Sequence, residues 1–310
     1  MELCLCKTLW GVEDAGDPSS WESIFSKISK EGYKAVEVVP AFSFRGHEEA
    51  FRKILTKYDL SCVVQVHTMG GYFRNDEYIY LANTKLDDHI NSLHDAVEEV
   101  VAAVGPHLLF INCHSGHDSW GIENAVTYLQ EASRIGEKFD VRILHETHRQ
   151  RLFFNPYVTR DILRHPSISG QIELTADLSH WVCVCENIFD EDTPRDEDWW
   201  PETLELVASH TALIHCRVGY TEGPQVADPL DPESKEATEA HLKWWAAIWE
   251  NQAKRGFCQS WNEPEHGPPP YLQVLPYTQQ PVADLWNINT SVRNLLKDRF
   301  EKKFLNQNES

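Results

Sequence analysis

Short apolar runs alternate with amphipathic helical patterns along the whole chain, and this predicts a (β/α)8 TIM barrel. Three observations carry that reading. The runs number eight, which is the barrel count. Polar and charged residues crowd their C-terminal ends, where barrels place their chemistry. No glycine-rich phosphate turn follows the first run, which argues against a doubly wound open sheet. At 310 residues the chain holds one barrel of roughly 250 residues plus insertions. The expectation is therefore a single domain over residues 1–310, with no low-complexity linker.

The runs fall at residues 3–7, 35–39, 62–67, 108–113, 141–146, 172–177, 212–216 and 256–261. They are short and rich in Val, Ile, Leu and Cys, as strands buried on both faces must be. Between the first two, Asp17-Pro18 offers an N-cap and a first-turn proline. Trp21, Ile24, Phe25 and Ile28 then form one apolar face, and Gly32 stops the helix. Ala50, Phe51, Ile54 and Leu55 repeat the pattern after the second run, and longer helices are expected at 85–104, 121–137, 235–255 and 281–300. Two long loops follow strands and so belong to the catalytic face: 186–201, with acidic residues at 190–192 and 196–198, and 221–233, with Pro224, Pro229 and Pro232. The first is a candidate lid.

Composition narrows the function classes. A formal charge of −20 opposes binding to nucleic acid or to anionic membranes, because phosphate surfaces select clustered Lys and Arg. No apolar run reaches the ~20 residues of a membrane span, and no basic, then apolar, leader opens the chain. Most of the eight cysteines sit in strand-like runs, as small core residues of a reducing compartment rather than a disulfide framework. Cys4/Cys6 and Cys183/Cys185 lack the Cys-x-x-Cys spacing of zinc or redox sites. The expected setting is the cytoplasm. The expected partner is a small molecule, with a homodimer open as the assembly.

The chemistry concentrates at the strand ends. His67 lies on the third, His114 on the fourth, Glu146 with His148 and Arg149 on the fifth. Asp177 and His180 follow on the sixth, His215 and Arg217 on the seventh, Glu263 and Glu265 on the eighth. Carboxylate, carboxylate, imidazole and carboxylate thus occupy four consecutive ends. Side chains alternate along a strand, so Arg142, Leu144, Glu146 and His148 share a face, as do Glu173, Thr175 and Asp177, and Leu213, His215 and Arg217. Three oxygens and one nitrogen suit one divalent ion such as Mn2+, Mg2+, Co2+ or Zn2+. The zincin pattern does not apply: His145 and His148 are three apart at a strand end, not four apart on a helix. No nucleophile elbow is present.

The segments His145-Glu146-Thr147-His148-Arg149, Asp177-Leu178-Ser179-His180, His215-Cys216-Arg217-Val218-Gly219-Tyr220 and Pro264-Glu265-His266-Gly267-Pro268-Pro269 resemble the xylose isomerase-like TIM-barrel superfamily, the sugar phosphate isomerase/epimerase group. The resemblance implies metal ligands at Glu146, Asp177, His215 and Glu265, with Glu263 as the alternative on strand eight. It implies isomerisation or epimerisation of a sugar, ketose or related polyol through a metal-stabilised enediolate. Glu146 and Glu265 would exchange the proton from opposite faces, and His180 and Arg217 would bind the oxyanion or a hydroxyl. Two other chemistries compete. One is an inosose-dehydratase-like lyase using His148 or His180 as acid. The other is an endonuclease-type phosphodiesterase, drawing on His67 and His114 for further metals. Trp10, Trp120, Trp181 and Trp261 lie near strand ends and could pack on sugar faces.

One structural expectation lies away from the site. Arg142 and Glu173 each precede a site carboxylate by four residues, so parity predicts a buried Arg142–Glu173 ion pair deep in the barrel.

Overall fold

The computed structural model describes residues 1–68, 72–74, 77–79, 85–168 and 172–304. Eight parallel strands are laid down in the predicted order: β1 (Glu2–Thr8), β2 (Ala35–Val38), β3 (Ser61–His67), β4 (Leu108–His114), β5 (Ile143–Glu146), β6 (Glu173–Ala176), β7 (Thr211–His215) and β8 (Gln259–Glu263). They close as a barrel in the order β1-β8-β7-β6-β5-β4-β3-β2. Helices follow the strands: α1 (Trp21–Lys30), α2 (Glu48–Tyr58), α3 (Leu86–Val104), α4 (Ile122–Phe139), α5 (Pro156–Leu163), α6 (Ser179–Cys185), α7 (Trp200–His210), α8 (Lys235–Lys254) and α9 (Leu285–Phe304). The short strands Tyr72–Arg74 and Glu77–Ile79 pair antiparallel. No helix among the described residues is long and apolar enough to cross a membrane. The eight cysteines are free thiols, and Cys4, Cys6, Cys62, Cys113 and Cys216 are buried as expected.

Several boundaries differ from the sequence expectation. The eighth strand starts at Gln259, not at residue 256, because Gly256 adopts φ +81° as the stop after α8. The strand also ends later than expected: Glu263, paired with His215, is its last residue, and Glu265 lies beyond it. Helix α1 starts at Trp21 behind Ser20, whereas Asp17 closes a local turn by accepting from the Ser19 amide at 2.8 Å. The loop expected at 186–201, the candidate lid, is tethered by buried contacts and gives way to α7 at Trp200. Phe189 is buried and stacks on Trp200 at 4.6 Å, and the buried Asp196 accepts hydrogen bonds from Asn187 and from the Asp190 amide.

The chain divides into two compact units, one covering Cys6–Leu174 and the other Met1–Leu5 with the residues from Thr175 onward. In the first, Trp21 and Phe25 of α1 meet Phe51 of α2 at ring separations of 5.5 and 6.0 Å, with Phe44 stacked on Phe51 at 4.9 Å. Each such buried ring contributes roughly 1.5–3 kcal/mol. Ladder partners Thr8↔Glu37, Glu37↔Val63, Gln65↔Asn112 and His67↔His114 set the register. Partners in a parallel ladder share a face, which groups Glu37, Gln65, His67, Asn112 and His114. In the second unit, α7 packs on α8 through Trp200 and Trp244, 5.3 Å apart. Trp249 donates its indole N–H to the buried Asn262 of β8 at 2.9 Å, and His215 pairs in register with Glu263.

The Arg142–Glu173 pair forms, but it is not buried. Two parallel hydrogen bonds of 2.8 and 2.6 Å join the side chains, yet these are 48% and 36% exposed. The parity was right and the depth was wrong: β5 begins only at Ile143, so Arg142 precedes the strand and lies over the Phe110 ring at 4.5 Å.

Candidate active site

In the unit from Thr175 onward, five of the sequence-predicted site residues meet. Asp177 follows β6 directly and is fully buried. Its Oδ1 accepts from the Ser179 amide at 3.1 Å and the Ser179 hydroxyl at 2.5 Å, an arrangement that fixes the carboxylate at the start of α6. Its Oδ2 pairs with Arg217 Nη2. Arg217 is also buried; its Nε donates to Ser179 Oγ at 3.2 Å, and its Nη2 donates to His180 Nε2 at 2.8 Å and lies 3.5 Å from Glu265 Oε2. That contact makes His180 Nε2 an acceptor, so the ring carries its proton on Nδ1. His215, the last residue of β7, approaches Glu265 Oε2 through Nδ1 at 3.0 Å.

Both strand-eight candidates lie at this cluster. Glu263 is fully buried, and one of its oxygens is within 4.8 Å of a His215 ring nitrogen, as is an oxygen of Asp177. Glu265, two residues later, contacts His215 at 3.0 Å and Arg217 at 3.5 Å. Burial pushes the next residue, His266, down to about 3, with the Arg217 charge adding to it, so its imidazole is neutral.

In the unit Cys6–Leu174, Glu146 ends β5 and is 1% exposed. Its Oε2 accepts from Asn112 Nδ2 at 2.7 Å and from His114 Nε2 at 2.9 Å. The second N–H of Asn112 reaches Glu37 Oε1 at 2.9 Å. His114 stacks on His67 at 4.4 Å between ring centres and meets the tilted His148 ring, also at 4.4 Å. Ligand atoms of His114, Glu146 and His148 lie within 4.8 Å of one another. His148 bonds the Arg149 carbonyl through Nδ1 at 2.6 Å. His145 takes no part: it points to the other face, bonds Ser115 Oγ at 2.6 Å, and burial pushes it down to about 3.

Several contributors were not singled out from the sequence. Glu37 and Asn112 are polar interruptions of apolar strands, and their parity with Gln65 and His67 was the available signal. Ser179 lay within a quoted segment. Tyr271 had no signal: the loop after β8 carries its ring onto Arg217 at 4.9 Å and edge-on to His180 at 6.2 Å. Of the tryptophans, Trp181 is fully buried edge-on to Trp200 at 6.4 Å and so belongs to the core, whereas Trp10 is 36% exposed.

The donor set fits a hard or borderline dication. Asp177, Glu263 and Glu265 offer carboxylate oxygens and His215 a ring nitrogen, all within a buried cluster.

The family model of the xylose isomerase-like TIM barrel matches residues 25–223. Solved structures of the same fold include an L-ribulose 3-epimerase at 12% identity and TM-score 0.59, covering 97% of this chain and 95% of that one. A D-tagatose 3-epimerase-like protein is 13% identical at TM-score 0.58, with 97% and 98% covered. A xylose isomerase-like TIM barrel protein from Mycobacterium smegmatis in complex with magnesium is 10% identical at TM-score 0.58, with 96% and 97% covered. None of the curated proteins is significantly similar in sequence. With a family model matching well over half its length and a closed eight-stranded parallel barrel, the chain belongs to the xylose isomerase-like TIM-barrel family.

Proposed function

We propose that the protein is a divalent-metal-dependent isomerase or epimerase of a sugar or related polyol. The observation that carries this is the buried cluster of Asp177, His215, Arg217 and Glu265. Buried carboxylates around one imidazole and one guanidinium are costly to maintain unless they bind something. Neighbouring parallel strands present their C-terminal ends at one barrel mouth, so Glu146 at the end of β5 is assigned as the fourth ligand beside Asp177, His215 and Glu265. Glu263 is held in reserve for strand eight. A solved L-ribulose 3-epimerase and a magnesium complex share the fold, which is in keeping with a metal-dependent sugar enzyme.

When bound, the dication would polarise adjacent carbonyl and hydroxyl oxygens of the substrate and so acidify the C–H between them. Glu146 would take that proton, and Glu265 would return one from the opposite face. His114 and Asn112 hold the Glu146 carboxylate in one orientation. Arg217, steadied by Ser179 and Asp177, presents its guanidinium to a developing oxyanion, with His180 beside it. The protein is expected to act in the cytoplasm as a single-domain enzyme on a small-molecule sugar or polyol, with a homodimer open as the assembly.

Elemental analysis of the purified protein, followed by NMR of a sugar and polyol panel in deuterated water, tests the reading. The expected result is a stoichiometric divalent metal and deuterium incorporated at one carbon. Glu146→Gln and Glu265→Gln should lose far more kcat than binding. Protein without bound metal and without exchange at any carbon would refute it. A dead Glu263→Gln beside a near-normal Glu265→Gln would move the ligand by two residues. Loss of water from the substrate would instead identify a lyase.

A further inference from the structure

Glu265 lies two residues past Glu263, the last ladder partner on β8, so sheet hydrogen bonds do not fix its main chain. Two buried side-chain amides do so instead. Asn289 of α9 accepts from the His266 amide through Oδ1 at 2.8 Å and donates from Nδ2 to the His266 carbonyl at 3.0 Å. Gln225, from the loop after β7, accepts from the Gly267 amide through Oε1 at 2.7 Å and donates from Nε2 to the Gly267 carbonyl at 3.0 Å. Both side chains are nearly inaccessible, at 2% and 1% exposed. Each amide therefore does what a neighbouring strand would do, meeting both polar groups of one residue. Only Asn and Gln carry a neutral donor and acceptor side by side. Four hydrogen bonds thus lock the two residues that follow Glu265, and through them the direction in which its carboxylate leaves the chain.

We propose that Gln225 and Asn289 are positioning residues for Glu265, extending β8 by side-chain pairing so that the carboxylate is presented to the metal. The proposal rests on the metal-site reading above. A misdirected ligand weakens metal binding by about 10–100-fold when its supporting hydrogen bonds are removed.

The test uses the full chain and Mn2+ alone, titrated by electron paramagnetic resonance, with the Co2+ absorption spectrum as a readout of ligand geometry. Asn289→Ala and Gln225→Ala should each lower Mn2+ affinity about tenfold or more and shift the Co2+ bands. In a Glu265→Gln background, the same substitutions should cause no further loss, because they act through Glu265. Gln252→Ala is the control: this buried amide donates to the Thr211 carbonyl at the start of β7, at 3.1 Å, and its loss should lower Tm while Mn2+ affinity stays within about twofold. If the alanine variants fail to fold, Asn289→Asp and Gln225→Glu keep the acceptor and lose the donor, and serve in their place. Unchanged Mn2+ affinity in the folded variants, or equal losses with and without Glu265, would overturn the positioning role alone. Wild-type protein that takes up no Mn2+ would overturn the metal reading and this proposal together.

Discussion

Arg217→Met isolates the charge balance of the candidate site. The guanidinium is 2% exposed and faces Asp177, Glu265, Ser179 and His180. Methionine fills much of the volume but leaves two buried carboxylates without that cation. Removing one partner of a buried charge pair costs about 3–5 kcal/mol. Unfolding entropy of about 2.1 cal/mol/K per residue, over a chain of this length, converts this to a Tm loss of about 5–8 °C. The sign of the metal effect is the discriminating part. A dication supplies the positive charge that methionine lacks, so the loss measured in EDTA should shrink by more than half in saturating Mn2+. Melts followed by circular dichroism under both conditions give the four values needed. A variant melting within about 1 °C of wild type in EDTA would refute the claim that Arg217 balances buried charge. Equal losses with and without Mn2+ would place the metal elsewhere. Asp177→Asn in the Arg217→Met background should recover part of the stability, as a coupled pair requires.

Three further outcomes follow from the packing. Arg142→Ala should cost at most about 1 kcal/mol in urea unfolding, because the Arg142–Glu173 pair is exposed; a loss near 4 kcal/mol would mean that it is buried in solution. His241 is fully buried between the Gly219 amide and the Ala237 carbonyl, and burial pushes it down to about 4. The unfolded chain, titrating near 6.5, then binds the extra proton. Its contribution is present above pH ~6.5 and is lost as pH falls towards 4, by up to about 3 kcal/mol. His241→Gln should flatten that slope by about one proton, and an unchanged slope counts against the assignment. A Cβ on Gly219 would sit 2.6 Å from the Ser179 carbonyl. Gly219→Ala should therefore cost about 1–3 kcal/mol and, by moving Ser179 from Asp177 and Arg217, weaken Mn2+ binding; normal stability and normal binding together would refute this.

The sequence determined the features that follow from periodicity. Eight apolar runs separated by amphipathic helices define the barrel, because burial on both faces and on one face leave different patterns in a chain. Period-2 parity similarly put Asp177, His215 and Arg217 among site residues and joined Arg142 to Glu173. Only the tertiary structure decided depth, and depth depends on where a strand begins. Starting β5 at Ile143 leaves Arg142 half exposed, and ending β8 at Glu263 leaves Glu265 beyond the strand. The partners of the site were also illegible in the chain. Asn112 reaches Glu146 across 34 positions, Arg217 reaches Asp177 across 40, and Tyr271 reaches Arg217 from a loop without a pattern. Local propensity and periodicity act over a few residues, whereas these contacts exist only once the closed barrel has brought distant strand ends together.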